Sequence, residues 1–501
     1  MSIVNFYKDK EIFVTGGTGF IGKVLIEKIL RSLPNVSKIY ILMRTKKNKT
    51  PEERLKQLLE IPVFRRVRNE QPESFKKLIA ISGDCYEKGL GISAQDKERL
   101  SNVSIIFHVA ATIRFDENLK TSILLNTRGA YEMIKLAQEL PKLEAFVHVS
   151  TAYSHPDLQE VDEKIYPPYA DWRSIIKLAE TYDVDTLNIL FPKISPKHPN
   201  TYTFTKSLAE HVIDDHRHTL PLGIVRPSIV ISSYEEPIPG WVDNFNGPIG
   251  MLVGGGIGIM RTFCGDPNVI TDIVAVDMCA KSLIVAAFKL GTYSPSLPPR
   301  SEVEIFNCCN SSNRNLSNAD IAAIGPKTLL KVPYDKCFWL PKASFTLCRT
   351  WHYIKLFAQQ IIPAVIVDFL LIVAGKKPML LRLNRRMAST LEALRFFLSN
   401  EFNFLNDNFQ ALEKIITKQE WSTFNFLEYC NCDQDEYYCN MVRGIREFLL
   451  NEQREPSSGA FLRMRILQIL HYSIQLVFGY FIVRYIIGLI MEYCKSYSIV
   501  N

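Results

Sequence analysis

The sequence lacks the cysteine spacing of metal-binding motifs, has few glycines, and shows no strong excess of charge of one sign. Its 501 residues include 11 cysteines, an odd number, and no two of them form a Cys-x-x-Cys pair. Neither a disulfide framework nor a structural zinc site is therefore indicated. With only 24 glycines and 26 prolines, and 47% hydrophobic residues, the chain is not collagen-like or disordered. A globular protein with about three domains' worth of chain, at ~150 residues each, is expected.

Charge is nearly balanced. Lys and Arg exceed Asp and Glu by 59 to 52, a net charge of +7 that is too diluted to predict a nucleic-acid surface.

Residues 1–11 lack a charged-then-apolar run with a cleavage site, so secretion is not indicated and the thiols are expected to be reduced. No metal site is expected, because no histidine lies at zinc-finger spacing from the closest cysteines, Cys430, Cys432 and Cys439.

Short β-rich runs alternate with helical patterns over the first ~230 residues, which predicts an α/β fold with a doubly wound parallel Rossmann sheet. The runs are near-continuous Ile, Val, Phe and Leu, as in strands covered on both faces. Six strands are predicted: 12–15, 38–43, 78–81, 105–109, 145–149 and 222–225.

Beyond the sixth strand the pattern loosens into Gly- and Pro-rich loops. Residues 227–330 are interpreted as a smaller substrate lobe of a nucleotide-binding domain that spans 1–330. Four glycines in this lobe are predicted to form a flexible loop rather than a second phosphate loop, since no strand leads into a capped helix there. They are Gly254, Gly255, Gly256 and Gly258.

Two apolar segments lie in the C-terminal third. The first, 353–374, contains Pro363 and Asp368 and is followed by basic residues, which favours a buried or interfacial helix over a membrane span. The second, 466–491, begins with 18 residues without Asp, Glu, Lys or Arg and is long enough to span a bilayer, with Arg484 near its end. It is predicted to anchor the protein by its tail, with Arg463 and the catalytic body on the cytosolic side.

Between these segments, leucines and a methionine recur at helical spacing. This pattern predicts a core-facing stripe on one helix, a packing feature rather than a cofactor site. Its members are Leu383, Met387, Leu391, Leu394 and Leu398.

A glycine-rich turn follows the first predicted strand and leads into a helical pattern. Its glycines permit a tight turn, close approach of a pyrophosphate and close helix–strand packing, while the helix N-terminus offers free N–H groups. A dinucleotide site is therefore predicted at Thr15, Gly16, Gly17, Thr18, Gly19, Phe20, Ile21 and Gly22.

The second predicted strand ends in a base instead of the acidic residue that usually binds the 2′-hydroxyl of NAD. Arg44, followed by Lys46 and Lys47, could bind a 2′-phosphate, which favours NADPH over NADH. A solvated basic loop is the alternative interpretation.

A Tyr-x-x-x-Lys pair places a phenol and an ammonium one helical turn apart, where the cation is expected to lower the tyrosine pKa from about 10. The spacing occurs at Tyr131/Lys135 and at Tyr202/Lys206. Tyr202 is the predicted proton donor because it follows the fifth strand, at the edge where open sheets bind ligands. Tyr131 is predicted to serve packing.

A hydroxyl at the end of the fifth strand would complete this arrangement. Ser150 or Thr151 could hydrogen-bond the carbonyl oxygen on which negative charge accumulates. Three histidines could serve as acid–base or metal groups but are predicted to be surface residues: His198, His216 and His218.

With these residues in place, nearly the whole chain resembles the extended short-chain dehydrogenase/reductase superfamily and, within it, the insect-type fatty acyl-CoA reductases. The stretches that carry the resemblance are TGGTGFIGKVLIEKIL from Thr15, SGD from Ser82, HVAATIRFDENL from His108, HVSTAY from His148, PNTYTFTKSLAEH from Pro199, RPSIV from Arg226 and PGWVDN from Pro239.

The resemblance implies NADPH-dependent reduction of long-chain fatty acyl-CoA to fatty alcohol through an aldehyde. It implies that Thr151 is the partner of Tyr202 and that Lys206 also holds the nicotinamide ribose. Four further residues would contact the cofactor: Asp84 at the adenine, Ala110 and Ala111 in the cleft, and Pro227.

For the rest of the chain, the resemblance implies a helical C-terminal domain over 331–460, an attachment to peroxisome or endoplasmic reticulum, and allows a homodimer. Two other functions stay open. One is an extended reductase or epimerase acting on a sterol or nucleotide sugar, and the other is a non-catalytic NADPH-binding membrane sensor. Sensors of this fold commonly lose the Tyr/Lys pair, which is present here.

Overall fold

A central parallel sheet organises the protein. The computed structural model describes residues 1–293, 301–310, 316–431 and 433–500, so Cys432 lies outside the described residues. Within them, seven strands form the sheet: β1 Glu11–Thr15, β2 Lys38–Met43, β3 Leu78–Ser82, β4 Val103–His108, β5 Ala145–Val149, β6 Leu222–Pro227 and β7 Glu304–Cys308.

The strand order is β7-β6-β5-β4-β1-β2-β3, with every neighbouring pair parallel. Strand order reverses between β1 and β4, and in such sheets a crevice for ligands opens there at the carboxyl ends. The predicted doubly wound Rossmann fold is confirmed. The sequence interpretation found six of the strands and missed β7, which pairs with β6 and whose Glu304 and Asn307 interrupt the apolar pattern.

Helices cover the sheet. Helix α1, Phe20–Ser32, and helix α3, Val276–Gly291, pack against each other beside the sheet, and α3 is almost wholly buried. Between them in sequence lies α2, Thr201–Asp214. The other helices that precede residue 340 are Ile3–Tyr7, Pro51–Leu59, Arg65–Glu70, Ala94–Arg99, Leu119–Ser122, Gly129–Gln138, Trp172–Thr181, Val184–Ile194, Gly247–Gly256 and Asn318–Lys331.

The prediction that the four glycines form a flexible loop is wrong. Gly254, Gly255 and Gly256 form the end of helix Gly247–Gly256, and only Gly258, with φ +82°, lies in the turn that follows. This helix is closely packed, because a Cβ on Gly254 would lie 2.2 Å from the sulfur of Met260.

Short parallel ladders join the C-terminal part of the chain to the earlier part. Ser344–Thr346 pairs with Thr262–Cys264, and Asn403–Phe404 pairs with Glu160–Val161. A third ladder joins Ile229–Ile231 to Ile273–Ala275. The C-terminal helices are α4 Arg349–Val373, α5 Leu380–Ser399, Asp407–Glu413, Trp421–Phe424, Gln434–Gly444 and α6 Ser458–Val500.

Helices α4 and α5 form a hairpin. Its turn contains Gly375 at φ +71°, a conformation that glycine adopts without strain. The Asp368 carboxylate of α4 accepts hydrogen bonds of 2.9 Å from the backbone N–H groups of Met379, Leu380 and Leu381, and so caps the start of α5. The acidic residue inside the apolar segment therefore holds the hairpin together.

Helix α4 is exposed, so the expectation of a buried helix is wrong. Over its most apolar window only 17% is buried, and Phe357, Phe369 and Val373 each expose at least 60% of their surface. The interfacial alternative stays a prediction. Among the described residues, two helices are long and apolar enough to cross a membrane: α4 and the Ser458–Met491 part of α6.

The first turns of α6 pack on the body of the protein and the rest leaves it. Ala460 and Met464 are buried, and the Trp339 indole donates a 3.1 Å hydrogen bond to His471. The apolar window of α6 is 0% buried. The helix thus begins eight residues before the predicted segment 466–491 and continues into it without a break.

Candidate functional site

The glycine-rich turn at the end of β1 leaves no room for side chains. Gly16 has φ +72°, and a Cβ there would lie 2.6 Å from the backbone nitrogen of Ala110. A Cβ on Gly22 would lie 2.3 Å from the Gly16 carbonyl oxygen. The turn is closed by a 2.8 Å hydrogen bond from Gly19 N–H to that same oxygen. Only glycine satisfies this geometry at Gly16 and Gly22.

The turn presents the N-terminus of α1 to open space. Gly19 is the N-cap residue and provides no side-chain cap, so the first N–H groups of α1 are available to an anion. A Cβ on Gly19 would meet only the Gly16 carbonyl oxygen within 4 Å. On the outer side, Phe20 stacks on Trp241 with ring centroids 5.3 Å apart. These residues fit the diphosphate of a nicotinamide dinucleotide.

Side chains at the ends of β1 and β4 interlock across the crevice. The Thr15 hydroxyl lies 2.7 Å from His108 Nδ1 and accepts a hydrogen bond from Ala110 N–H. Burial, assisted by the nearby Lys206, lowers the pKa of His108 to about 3, so its imidazole is neutral. Ala110 and Ala111 follow β4 and are half-buried at this edge.

Basic and acidic groups meet at the ends of β2 and β3. Arg44 pairs with Asp84 at 3.2 Å, and 53% of the Arg44 side chain is exposed. The Arg54 guanidinium donates a hydrogen bond to the Arg44 carbonyl oxygen, which places a second arginine beside Arg44. The sequence interpretation missed Arg54. Its signal was the Thr50/Glu53 capping box, which starts a helix directly after the basic loop.

Tyr202 and Lys206 lie in the first turns of α2, next to the end of β5. The Asn200 side chain caps this helix by accepting from Thr203 N–H. The Lys206 ammonium is buried and donates a 2.6 Å hydrogen bond to the Val149 carbonyl oxygen. The Tyr202 hydroxyl interacts with the Thr151 hydroxyl. The structure thus brings Tyr202, Lys206 and Thr151 together at the carboxyl edge of the sheet.

The predicted lowering of the Tyr202 pKa by Lys206 is wrong. Burial raises the pKa of Tyr202 to about 12, and the hydrogen bond from Thr151 opposes this shift. The ammonium instead faces Val149, and burial lowers the pKa of Lys206 to about 8 while Glu210 raises it. Tyr202 is consequently protonated at neutral pH, as a proton donor must be.

Ser150 belongs to a buried ionic cluster instead of to Tyr202. Its hydroxyl donates a 2.6 Å hydrogen bond to Glu210, which pairs with Arg226 at 2.7 Å. Glu210 is 1% exposed and Arg226 is fully buried. The sequence interpretation assigned neither residue a role, although both lie in stretches that it quoted. Pro227 directly follows Arg226 and ends β6 at the same edge of the sheet.

The competing Tyr131/Lys135 pair makes packing and ion-pair contacts. Tyr131 packs on Trp172 with ring centroids 5.0 Å apart, and Lys135 pairs with Glu132. The prediction that Tyr131 serves packing is confirmed.

Three histidines are predicted to lie at the surface, and for His198 this prediction is wrong. It is 6% exposed, lies 2.7 Å from the Ser195 hydroxyl and packs on Tyr169. Burial lowers its pKa to about 4. His216 is half-buried and His218 is exposed.

Aromatic rings from the C-terminal part of the chain reach the site. Phe115 lies 5.9 Å from the Tyr202 ring and 5.4 Å from the Phe397 ring of α5. Tyr153 stands edge-on to Phe397 at 5.2 Å. The sequence interpretation missed this aromatic wall, formed by Phe115, Tyr153 and Phe397. Its only sequence signal is the phenylalanine-rich end of α5.

Known protein families match both parts of the chain. A model described as Male sterility protein matches residues 14–283, and a second with the same description matches 359–452. Fatty acyl-CoA reductase wat of Drosophila melanogaster is 38% identical over 474 residues, which covers 94% of this chain and 90% of that protein. Fatty acyl-CoA reductase 1 of Mus musculus is 34% identical over 94% of this chain and 91% of that protein.

Solved structures share the fold at low identity. The terminal R domain from the myxalamid PKS-NRPS pathway has a TM-score of 0.58 and 16% identity, covering 88% of this chain and 92% of that one. The reductase domain of a nonribosomal peptide synthetase from Mycobacterium tuberculosis has a TM-score of 0.55 and 15% identity, covering 87% and 92%. By its sequence relatives over nearly its whole length, the chain belongs to the fatty acyl-CoA reductase family.

Proposed function

We propose that this protein reduces long-chain fatty acyl-CoA to fatty alcohol with NADPH. The observation that carries the proposal is the placement of Tyr202 and Thr151 at the carboxyl edge of the sheet that also bears the glycine-rich turn. The identity of 34% to 38% with fatty acyl-CoA reductases over 94% of the chain supports the substrate class.

Tyr202 and Thr151 act on the substrate oxygen. A bound NADPH would supply one hydride to the carbonyl carbon of the thioester, and a second NADPH, bound after the oxidised cofactor has left, would supply one to the aldehyde. In each reduction the Tyr202 hydroxyl gives its proton to the carbonyl oxygen, and the Thr151 hydroxyl stabilises the charge that develops there. Tyr202 regains a proton from solvent before the next reduction. After the first reduction the carbon–sulfur bond breaks, CoA leaves as its thiol, and the aldehyde remains for the second.

The cofactor would be held along the crevice. The glycine-rich turn and the N-terminus of α1 would bind the diphosphate, Asp84 would approach the adenine, and Lys206 would hold the nicotinamide ribose. Ala110, Ala111 and Pro227 border the cleft at the ends of β4 and β6. The small size of the two alanines leaves room for a flat ring.

The choice of NADPH over NADH rests on Arg44 and Arg54. Two guanidinium groups at the end of β2 suit a 2′-phosphate, which takes bidentate hydrogen bonds from arginine. Replacing Arg44 with alanine is expected to raise the KM for NADPH about tenfold and to leave the KM for NADH unchanged. Equal changes for both cofactors would contradict the assignment.

We also propose that α6 crosses a membrane and that α4 lies in its interface. The apolar side chains of both helices are exposed, and the segment after α4 carries bases that suit anionic headgroups: Lys376, Lys377, Arg382, Arg385 and Arg386. Arg463 and Arg465 precede the span, which supports a catalytic body on the cytosolic side, on peroxisome or endoplasmic reticulum. Protease protection of tagged protein in isolated organelles would test this orientation.

A product assay separates the proposed reaction from its alternatives. The full-length protein in detergent, given palmitoyl-CoA and NADPH, is expected to form hexadecanol, detected by mass spectrometry. A 3-hydroxysteroid and a UDP-sugar serve as competing substrates. Turnover of either of these without fatty alcohol would favour the other extended reductases or epimerases, and cofactor binding without any turnover would favour a sensor.

A further inference from the structure

One face of α5 leads from the aromatic wall beside Tyr202 to the exposed helix α4. We propose that this face binds the acyl chain of the substrate and sets the chain length that the enzyme prefers. The inference rests on the proposed function and assigns it a binding surface. The acyl stripe, as we call this face, consists of Phe397, Leu394, Met387, Leu383 and Leu380.

The stripe begins at the reacting end. Phe397 touches Phe115, and Phe115 touches Tyr202, at centroid distances of 5.4 and 5.9 Å. A chain whose carbonyl oxygen meets the Tyr202 hydroxyl would therefore have its first carbons against these rings. The end of α5 is fixed here, because the Leu398 carbonyl oxygen accepts hydrogen bonds of 3.0 Å from Asp266 N–H and from the Asn318 side chain.

The middle of the stripe is neither core nor ordinary surface. Leu394, Met387 and Leu383 are all half-buried, whereas the residues on the opposite face, including Ala388 and Ser389, are exposed. Spacings of three and four residues keep the stripe on one side of the helix. Of the predicted core-facing stripe, Leu398 is buried and the other four members, Leu383, Met387, Leu391 and Leu394, are half-buried. This side of α5 is thus only partly covered by protein, and an apolar ligand would cover what remains.

The stripe ends at the proposed membrane-facing helix. Leu380 of α5 and Ala364 of α4 are buried together with Ile259, and Leu383 and Met387 pack against this group. Beyond Ala364, most apolar side chains of α4 are exposed. The far end of the stripe is therefore covered by protein at Leu380 and borders the exposed apolar side of α4.

The length of the stripe suits a long acyl chain. The 17 residue steps from Leu380 to Phe397 span about 25 Å at about 1.5 Å per step. One leaflet of lipid chains fills about 15 Å, half of a hydrocarbon core of about 30 Å. A saturated chain of the length found in membrane lipids fits along the stripe without reaching its far end.

Bulky substitutions at two depths test this proposal in the full-length enzyme. Leu394 lies about 5 Å along the helix from Phe397, and Leu383 lies about 21 Å from it. Leu394→Trp is expected to lower kcat/KM about tenfold for lauroyl-CoA and palmitoyl-CoA but not for octanoyl-CoA. Leu383→Trp is expected to leave kcat/KM unchanged even for arachidoyl-CoA, because a chain that starts at Tyr202 does not extend about 21 Å beyond Phe397. Ala388→Trp, on the exposed face, should leave the whole profile unchanged.

Equal losses at all chain lengths, the same cut-off for both tryptophans, or a shift in the Ala388→Trp control would overturn the proposal. If Leu394→Trp unfolds on purification, Leu394→Phe replaces it with a smaller increase in volume and the same expected order.

A binding measurement separates this inference from the proposed reaction. Palmitoyl-CoA brominated along its chain should quench the added fluorescence of Leu394→Trp and not that of Ala388→Trp. Quenching without turnover by the wild type would leave the acyl stripe standing and overturn the reaction. Turnover by the wild type, with no selective quenching and no shift in chain-length preference, would support the reaction and overturn the acyl stripe.

Discussion

The nucleotide end and the acyl end of the site are built in opposite ways. At the nucleotide end, residues 15–22 are contiguous in sequence and so tightly packed that a Cβ on Gly22 would lie 2.3 Å from a carbonyl oxygen. At the acyl end, Phe115 and Phe397 come from distant parts of the chain, and the surface that continues from them is half-exposed. A rigid end that holds the chemistry is joined to an adaptable end that holds the substrate.

The largest effect should come from the buried ionic cluster on the rigid side. Glu210→Gln leaves the fully buried Arg226 without its charge partner and is expected to lower the free energy of unfolding by about 3–5 kcal/mol. Glu70→Gln, which breaks the exposed Arg66–Glu70 pair, should cost less than about 1 kcal/mol. Denaturant unfolding of both variants measures the difference.

The same cluster makes stability depend on pH. Burial alone would raise the pKa of Glu210, but Arg226 and His155 hold it well below the ordinary value of 4.5. Because the folded-state pKa is the lower one, this stabilisation is present above pH 4.5 and is lost as pH falls toward the folded-state pKa. The stability gap between wild type and Glu210→Gln should therefore narrow in acid. A gap that stays constant to pH 3 would contradict the role of the charge.

A smaller loss is expected from the glycine-rich turn. Gly22→Ala forces a methyl group against the Gly16 carbonyl oxygen and should destabilise the protein by about 3 kcal/mol and weaken NADPH binding. Gly459→Ala is the matched control, since its Cβ would meet only the Ser457 hydroxyl at 3.6 Å, and its effect should stay within about 0.5 kcal/mol. Calorimetric titration with NADPH would detect the predicted loss of affinity.

The acyl end should tolerate change best. Phe397→Leu keeps an apolar side chain and is expected to cost less than about 1.5 kcal/mol of stability, while kcat/KM for palmitoyl-CoA falls because the ring beside Phe115 is lost. Phe338→Leu, at an exposed phenylalanine, should change neither quantity. A stability loss in Phe397→Leu as large as that of Glu210→Gln would erase the contrast between the two ends.

Local signals explain what the sequence could predict. Unbroken Val and Ile runs identified six strands, and the spacing of Gly16, Gly19 and Gly22 identified the dinucleotide turn. The Tyr202/Lys206 spacing identified their shared helix turn but not the direction of the ammonium, which bonds to the Val149 carbonyl oxygen. That direction depends on packing between α2 and β5, which no local pattern encodes.

Long-range contacts explain what the sequence could not predict. The contact between Phe115 and Phe397 joins residues 282 positions apart, and neither stretch signals the other. Asp368 made the apolar segment look too short for a membrane helix, yet the structure turns its carboxylate onto the start of α5 and leaves α4 a 25-residue helix. The role of a charge inside an apolar run thus depends on where its partner lies.

The role of Tyr202 is tested most directly by replacing it with phenylalanine. Fatty alcohol formed from palmitoyl-CoA and NADPH would be compared between wild type and Tyr202→Phe, with NADPH affinity measured on the same preparations. Loss of the proton donor should reduce kcat by about 10²–10⁴-fold while the Kd for NADPH stays unchanged. Alcohol formation by Tyr202→Phe at the wild-type rate would contradict the account.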